Sequence, residues 1–175
     1  MQFTKGKVVI HPRHGPSTVK KIATRTIRGE RTKYLTLLTH EGDLSVSMPT
    51  DRAEELGIRR VMNLEGVREI FDVLMDESGP HNRIWSRRYK DYTQRLNSGD
   101  VATIAGLVRD LTRRNEERRI SYGEMGVLRE AHALLTAELA LSLDRTAEQV
   151  AEMVESAVLN DVAPKFTADG LALAS

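Results

Sequence analysis

The sequence predicts a segregated α+β fold: a small, strongly bent β-sheet or barrel, then an all-α domain of about five helices. Three observations carry this. The first fifty residues are rich in β-branched side chains broken by Gly and Pro turns. From about residue 51, with the change falling somewhere in 50–63, the pattern turns from alternating to helical spacing. Finally, cap-type residues stand ahead of several of those apolar runs.

In chain order, Lys7–His11, Thr18–Arg28 and Arg31–Thr39 are β-rich, and Leu44–Met48 alternates with period two. Pro12 with Gly15-Pro16, Arg28-Gly29, and Glu41-Gly42-Asp43 supply the turns, and Pro49 closes the set. Val67, Ile70, Phe71 and Leu74 then mark a short amphipathic helix. Asp76–Asn82 is a loop, with Asn82 a candidate cap for a second helix running to about Asn97, where Ser98-Gly99 stops it. Asp100 caps a third helix with Val101, Ile104, Ala105, Val108 and Leu111 on one stripe. Ser121 and Glu124 form a capping box for a fourth helix reaching Leu143. Thr146 and Gln149 repeat that spacing for a fifth, with Val150, Met153, Val154, Ala157 and Val158 on its inner face. The expected organisation is a β-domain over 1–52, a linker over 53–63, a helical domain over 64–160 and a disordered tail over 161–175.

With 40% hydrophobic and 29% charged residues, the composition is that of a soluble globular protein. No apolar run approaches the roughly 18–20 residues of a membrane span, and MQFTKGKVVIHP lacks a signal-peptide layout. The absence of cysteine excludes disulfides, thiolate metal sites and cysteine nucleophiles, and fits a cytoplasmic protein. The net charge of +1 conceals segregation: residues 83–119 carry 10 Lys/Arg against 5 Asp/Glu, and residues 120–175 carry 3 against 9. Such a field attracts polyanions locally, although a solvated, salt-bridged surface is the other reading.

No phosphate loop, dinucleotide fingerprint, GxSxG elbow or HExxH motif is present. His11 and His14 lie three apart across a proline with no third ligand, so they read as turn histidines. The expectation is therefore a non-catalytic protein without cofactor, metal or small-molecule substrate. The informative stretch is RIWSRRYKDYTQRL, Arg83–Leu96. On a helix, Trp85, Tyr89, Tyr92 and Leu96 share one stripe, and Arg83, Arg87, Lys90 and Gln94 share the opposite one, with Arg88 and Arg95 on the flanks. The only tryptophan then has two readings: a core filler, or an apolar wedge at a helix start beside the four cations within Arg83 to Lys90. Periodicity leaves both open. Arg109, Arg113, Arg114, Arg118 and Arg119 make the third helix basic, with Glu116 and Glu117 partly offsetting them. Nothing resembles a base-reading array, so any DNA binding should have little sequence specificity.

KGKVVIHPRHGPSTVKKI, TRTIRGE, GDLSVSMP, WSRRYK, SGD and VRDL together resemble the CarD/CdnL family of bacterial RNA-polymerase-binding transcription regulators, actinobacterial members above all. The resemblance covers roughly residues 1–160. It implies a Tudor-like N-terminal domain docking on the RNA polymerase β subunit, partly by strand addition, with Arg25 and Ile27 at that interface. It also implies a helical domain on promoter DNA at the upstream edge of the bubble. There Trp85 would wedge into the minor groove and stabilise the open complex, with Arg87 and Lys90 on phosphates and Arg83 and Arg88 beside them. Close relatives carry arginine where this chain has Ser47, a lost cation that would weaken docking or shift it to other contacts. Two rival classes remain: an adaptor whose basic helices bind an acidic protein, and an enzyme with a deep polar pocket.

Overall fold

The computed structural model describes residues 1–27, 29–167 and 170–171. The chain divides into two units, 1–61 and 62–175. In the first, β1 (Val8–His11), β2 (Gly15–Ile27), β3 (Glu30–Thr39) and β4 (Ser45–Pro49) form an antiparallel meander in the order β1-β2-β3-β4. Alternation sends Val9, Val19, Leu35, Leu37 and Met48 to one buried face. The pairing register slips between Val19 and Lys21, a bulge that lets the long β2 bend.

The segment expected to be a linker over 53–63 is mostly part of this unit. After a 3₁₀ turn at Thr50–Arg52, Ala53 and Ile58 are fully buried in the sheet's core. The backbones of Ile10 and Arg59 exchange hydrogen bonds of 2.8 and 3.1 Å along the outer edge of β1. Gly57 makes the return possible: its φ is +87°, and an added Cβ would stand 3.0 Å from the Pro12 ring. The two apolar residues are scattered among charges with neither helical nor strand period, so pattern alone could not place them.

The second unit contains α1 (Leu64–Met75), α2 (Trp85–Asn97), α3 (Val101–Glu117), α4 (Tyr122–Leu143) and α5 (Ala147–Asn160). The expected caps are made: Asp100 accepts from Thr103 N–H, and both capping boxes, Ser121/Glu124 and Thr146/Gln149, close in both directions. Asn63 caps α1. The core joins Val67, Ile70, Phe71 and Leu74 of α1 to Leu107, Val108 and Leu111 of α3, to Val127, Ala131, Leu135 and Leu139 of α4, and to Val150, Val154 and Val158 of α5. The helix α3 packs against all four others.

That central position explains why α3 is less basic outside than its sequence suggests. Arg109 and Arg114 are buried, and Arg109 donates to the Val73 carbonyl at 2.9 Å. Arg113 donates to the Asp76 and Val158 carbonyls at 2.6 and 2.8 Å, which ties the C-terminal ends of α1 and α5 where orphan carbonyls gather. Arg118 and Arg119 remain exposed.

Residues 161–175 are not all a free tail either. Phe166 packs against the helical core, 5.9 Å from the Phe71 ring, with the Arg68 guanidinium 5.6 Å from its centroid. It belongs to a two-residue strand, β5 (Phe166–Thr167), paired with β6 (Gly170–Leu171). A single aromatic in a polar, Gly-containing stretch gives no periodicity to read. Phe166→Ala should destabilise the helical unit by about 1–2 kcal/mol, the fraction of a phenylalanine deletion that suits a half-buried ring. Urea unfolding followed by helical circular dichroism measures this, and an unchanged midpoint would mean the ring contributes nothing.

Candidate nucleic-acid interface

The helix α2 starts at Trp85, so Arg83 lies in the turn before the helix rather than on its face. The cap residue, Ile84, offers no side-chain acceptor, and the first turn holds no acidic residue. Asn82 contributes locally, its side chain accepting from Ile84 N–H at 2.9 Å. This leaves a helix N-terminus with outward-facing amides and the positive end of the dipole. Arg83 just before it, and Arg87 and Lys90 in its first two turns, are exposed.

The predicted aromatic stripe grades from inside to outside. Leu96 and Tyr92 are buried, Tyr89 is half-buried, and Trp85 is 50% exposed. The tryptophan therefore does not fill the core. Its ring stacks on Tyr89, centroids 5.3 Å apart and planes within 10°. Its indole N–H donates to the Ser121 hydroxyl at 3.1 Å. Tyr89 in turn lies against Gly123, where an added Cβ would come within 3.1 Å of the ring. A half-exposed indole is thus held on one face by a phenol and at its edge by the start of α4.

Arg88 departs from the expectation of a surface phosphate contact. It is buried, and its Nε donates to Glu124 Oε1 at 2.6 Å. Its Nη1 donates to the carbonyls of Asn82 and Arg83 at 2.9 and 3.3 Å, fixing the turn that precedes α2. The other Glu124 oxygen accepts from Ser121 N–H at 2.9 Å. Burial alone would raise the Glu124 carboxyl, but the bonds from Arg88 and from Ser121 outweigh it and hold it below the ordinary 4.5. Arg95 is also occupied, paired with Asp110 at 2.8 Å. Around the turn, His81 is lowered by burial first and then by Arg114, Arg118 and Arg88, the mark of a positive local field.

Sequence reasoning found the Ser121–Glu124 capping box but not its tie to Trp85, because the partners are 36 residues apart and no local pattern joins them. Three further apolar residues are exposed near these elements: Ile84 at 51%, Tyr122 at 89% and Met125 at 37%.

In the first unit, Arg25 is exposed, its guanidinium 5.1 Å from the centroid of the Tyr34 ring. It lines a shallow basic groove with Lys5, Lys20, Lys21 and Ser47. The Ser47 hydroxyl bonds Thr36 Oγ1 at 2.9 Å. Ile27 is in β2, opposite Glu30, and its side chain lies outside the described residues. Since β1 pairs with β2 only over Gly15–Thr18, the outer edge of β2 beyond Lys20 has no partner strand among the described residues.

The turn histidines lie with ring centroids 4.6 Å apart and planes tilted by 40°, and burial, then His14 and Arg13, push His11 down to about 4. Among the described residues, no group of three or more His, Cys, Asp or Glu is placed to hold a metal ion. Nor, among those residues, is any helix long and apolar enough to cross a membrane.

Removing one member of a buried ion pair strands the other, so Glu124→Ala should cost about 3–5 kcal/mol in the helical unit. The pH dependence follows from the sign of the shift. A carboxylate held below its unfolded value contributes stability above about pH 4.5, which is lost as the pH falls through the lower folded value. Urea titrations from pH 7 to pH 3 should therefore show a steeper acid loss in the wild type than in Glu124→Gln. Equal slopes would remove Glu124 from the acid response.

Comparison with known proteins now bears on these two units. Residues 3–62 match the model for the CarD-like/TRCF RID domain, and residues 69–155 match that for the CarD C-terminal domain. A Bacillus subtilis (strain 168) protein described as "Putative transcription factor YdeB" is 24% identical over 148 residues, covering 85% of this chain and 97% of that one. The solution structure of the 72-residue N-terminal domain of Myxococcus xanthus CarD is 24% identical, covering 34% of this chain and 79% of that domain, with a TM-score of 0.30. The two domain models occur in order, one over each unit, and together cover most of the chain, and on that ground the chain belongs to the CarD family of transcription regulators.

Proposed function

We propose that this protein holds RNA polymerase through its β-domain and promoter DNA through its helical domain, stabilising the open complex without catalysing a reaction. The observation that carries the DNA half is Trp85: an indole half open to solvent, at an uncapped helix start, among exposed Arg83, Arg87 and Lys90. An apolar side chain so placed fits a minor-groove wedge at a weakened base step, while the cations and first-turn amides suit phosphate oxygens. Arg88 takes a different part from that first expected. It orients the turn and the indole from within, leaving Arg83, Arg87 and Lys90 as the phosphate contacts.

For the polymerase half, the support is the RID-domain match together with the stretch of β2 that carries Arg25 and Ile27, which pairs with β3 on one edge and has no partner strand on the other among the described residues. An open strand edge supplies main-chain hydrogen bonds to a partner strand, and a cationic groove beside it supplies selectivity. The β subunit is the partner proposed. Because the contacts are to phosphates and to groove shape, promoter choice would come from the polymerase, and binding would weaken steeply with salt.

Open-complex lifetime with purified polymerase tests both halves. Trp85→Ala should keep helical circular dichroism and polymerase binding, yet shorten the lifetime gained from the protein about 5–30-fold, equivalent to about 1–2 kcal/mol from one wedge. Arg25→Glu should instead lose polymerase binding while leaving the helical unit intact. A Trp85→Ala protein with full effect on the lifetime would end the wedge reading, and one that unfolds would return the indole to a structural role.

A further inference from the structure

We propose that Arg114, with Tyr92, Arg118 and His81, forms a binding site for one phosphate group where the loop before α2 crosses α3. The proposal goes beyond the DNA reading above and does not rest on it. Among the described residues, four buried side-chain polar atoms lack a hydrogen-bond partner. Three belong to one neighbouring pair: Arg114 Nε and Nη1, and the Tyr92 hydroxyl. Arg114 is 8% exposed and Tyr92 2%. Burial raises the Tyr92 phenol, and Arg114 leads the charges that lower it, so the two groups are close. All three atoms can donate. A guanidinium keeps its proton at any ordinary pH, and burying it unpaired is costly. The pair calls for an acceptor that carries negative charge.

The chain's own carboxylates are spent elsewhere. Asp110, one turn before Arg114, already accepts from Gly79 N–H, Arg95 and Arg109. Glu124 is taken by Arg88 and Ser121. The surroundings are positive instead. Residues 110, 114 and 118 share one face of α3. The loop runs along that face, Gly79 bonding Asp110 at 3.3 Å and the His81 ring meeting Arg118 at 3.5 Å. After burial, Arg114, Arg118 and Arg88 lower His81, and a single acid, exposed Glu117, opposes them. A phosphate suits this set, because its several oxygens reach separate donors and match the fork of a guanidinium. Arg114 Nε and Nη1 are covered, so the anion seats as the loop, held by these two long contacts, shifts off α3. Free phosphate and a DNA backbone phosphate share this chemistry.

The test is urea unfolding of the full chain, followed by helical circular dichroism, in inorganic phosphate and in sodium chloride of equal ionic strength. Phosphate should raise the wild-type midpoint above the chloride value, and the rise with concentration gives the affinity. Arg114→Met keeps an apolar stem of similar reach and should lose the phosphate-specific rise. Arg118→Gln, at an exposed position, should fold normally and weaken phosphate binding about tenfold, the loss of one charged hydrogen bond. It decides alone should Arg114→Met fail to fold. A wild type equally stable in both salts refutes the site, as does a phosphate-specific rise that survives intact in either variant. Anisotropy of labelled duplex DNA then identifies the source. If Arg118→Gln weakens duplex binding and inorganic phosphate competes with the duplex at constant ionic strength, a backbone phosphate enters the site. If neither happens while the phosphate-specific rise holds, the ligand is free phosphate.

Discussion

The buried ion pair between Arg88 and Glu124 is the contact on which the rest of the candidate interface depends. Taking both charges out of water is costly, and is offset only when every remaining donor and acceptor is used. Here they are put to use in several directions. Arg88 holds the carbonyls of Asn82 and Arg83, and Glu124 holds the Ser121 amide. Ser121, positioned by that bond, accepts from the indole of Trp85. One buried contact thus sets the turn before α2, the first turn of α4 and the angle of the tryptophan. An ordinary capping box would stabilise only its own helix. Linked to an arginine from another helix, it also mounts a side chain that is half outside.

The gradient along α2 explains why the tryptophan is outside at all. Successive residues of one stripe lie in line along a helix, so whether each is buried depends on how far the neighbouring helix extends beside it. Leu96 and Tyr92 are buried in the helical core; Tyr89 meets α4 at Gly123; Trp85 reaches the start of that helix, where its N–H bonds Ser121. Exposing half an indole forgoes burial of order 1 kcal/mol or more. The same stripe that roots the helix in the core therefore delivers an aromatic to the surface, stiffened by stacking and by its N–H bond.

Much of this was legible in the sequence, because the governing signals were local. Strand alternation, the aspartate cap and both capping boxes depend on residues within a few positions of one another, and each is made in the structure. What escaped depends on distant partners. Arg87 and Arg88 are indistinguishable by type, and only Glu124, 36 residues on, decides which is buried. Arg109 and Arg113 read as a basic face until α1 and α5 bring their C-terminal carbonyls to them. Ala53, Ile58 and Phe166 lie in stretches without period and are held by cores already formed.

Under the proposed function, the division of labour within the helical unit follows from a general constraint on ligands. A protein that binds two states equally moves neither, however tightly it binds. Arg83, Arg87 and Lys90 meet phosphates that are present whether the strands are paired or parted, so their contribution to closed and open complexes is nearly the same. They provide residence. Tethering by the β-domain multiplies that residence by raising the local concentration of the helical unit, which again favours neither state. Selectivity for the open state must come from a group whose partner exists only there, and a base edge or face freed from its stack is such a partner. The aromatic junction held by Ser121 is the part of the unit with that chemistry, and so the small, well-braced tip, rather than the larger cationic surface, sets the direction in which the equilibrium moves.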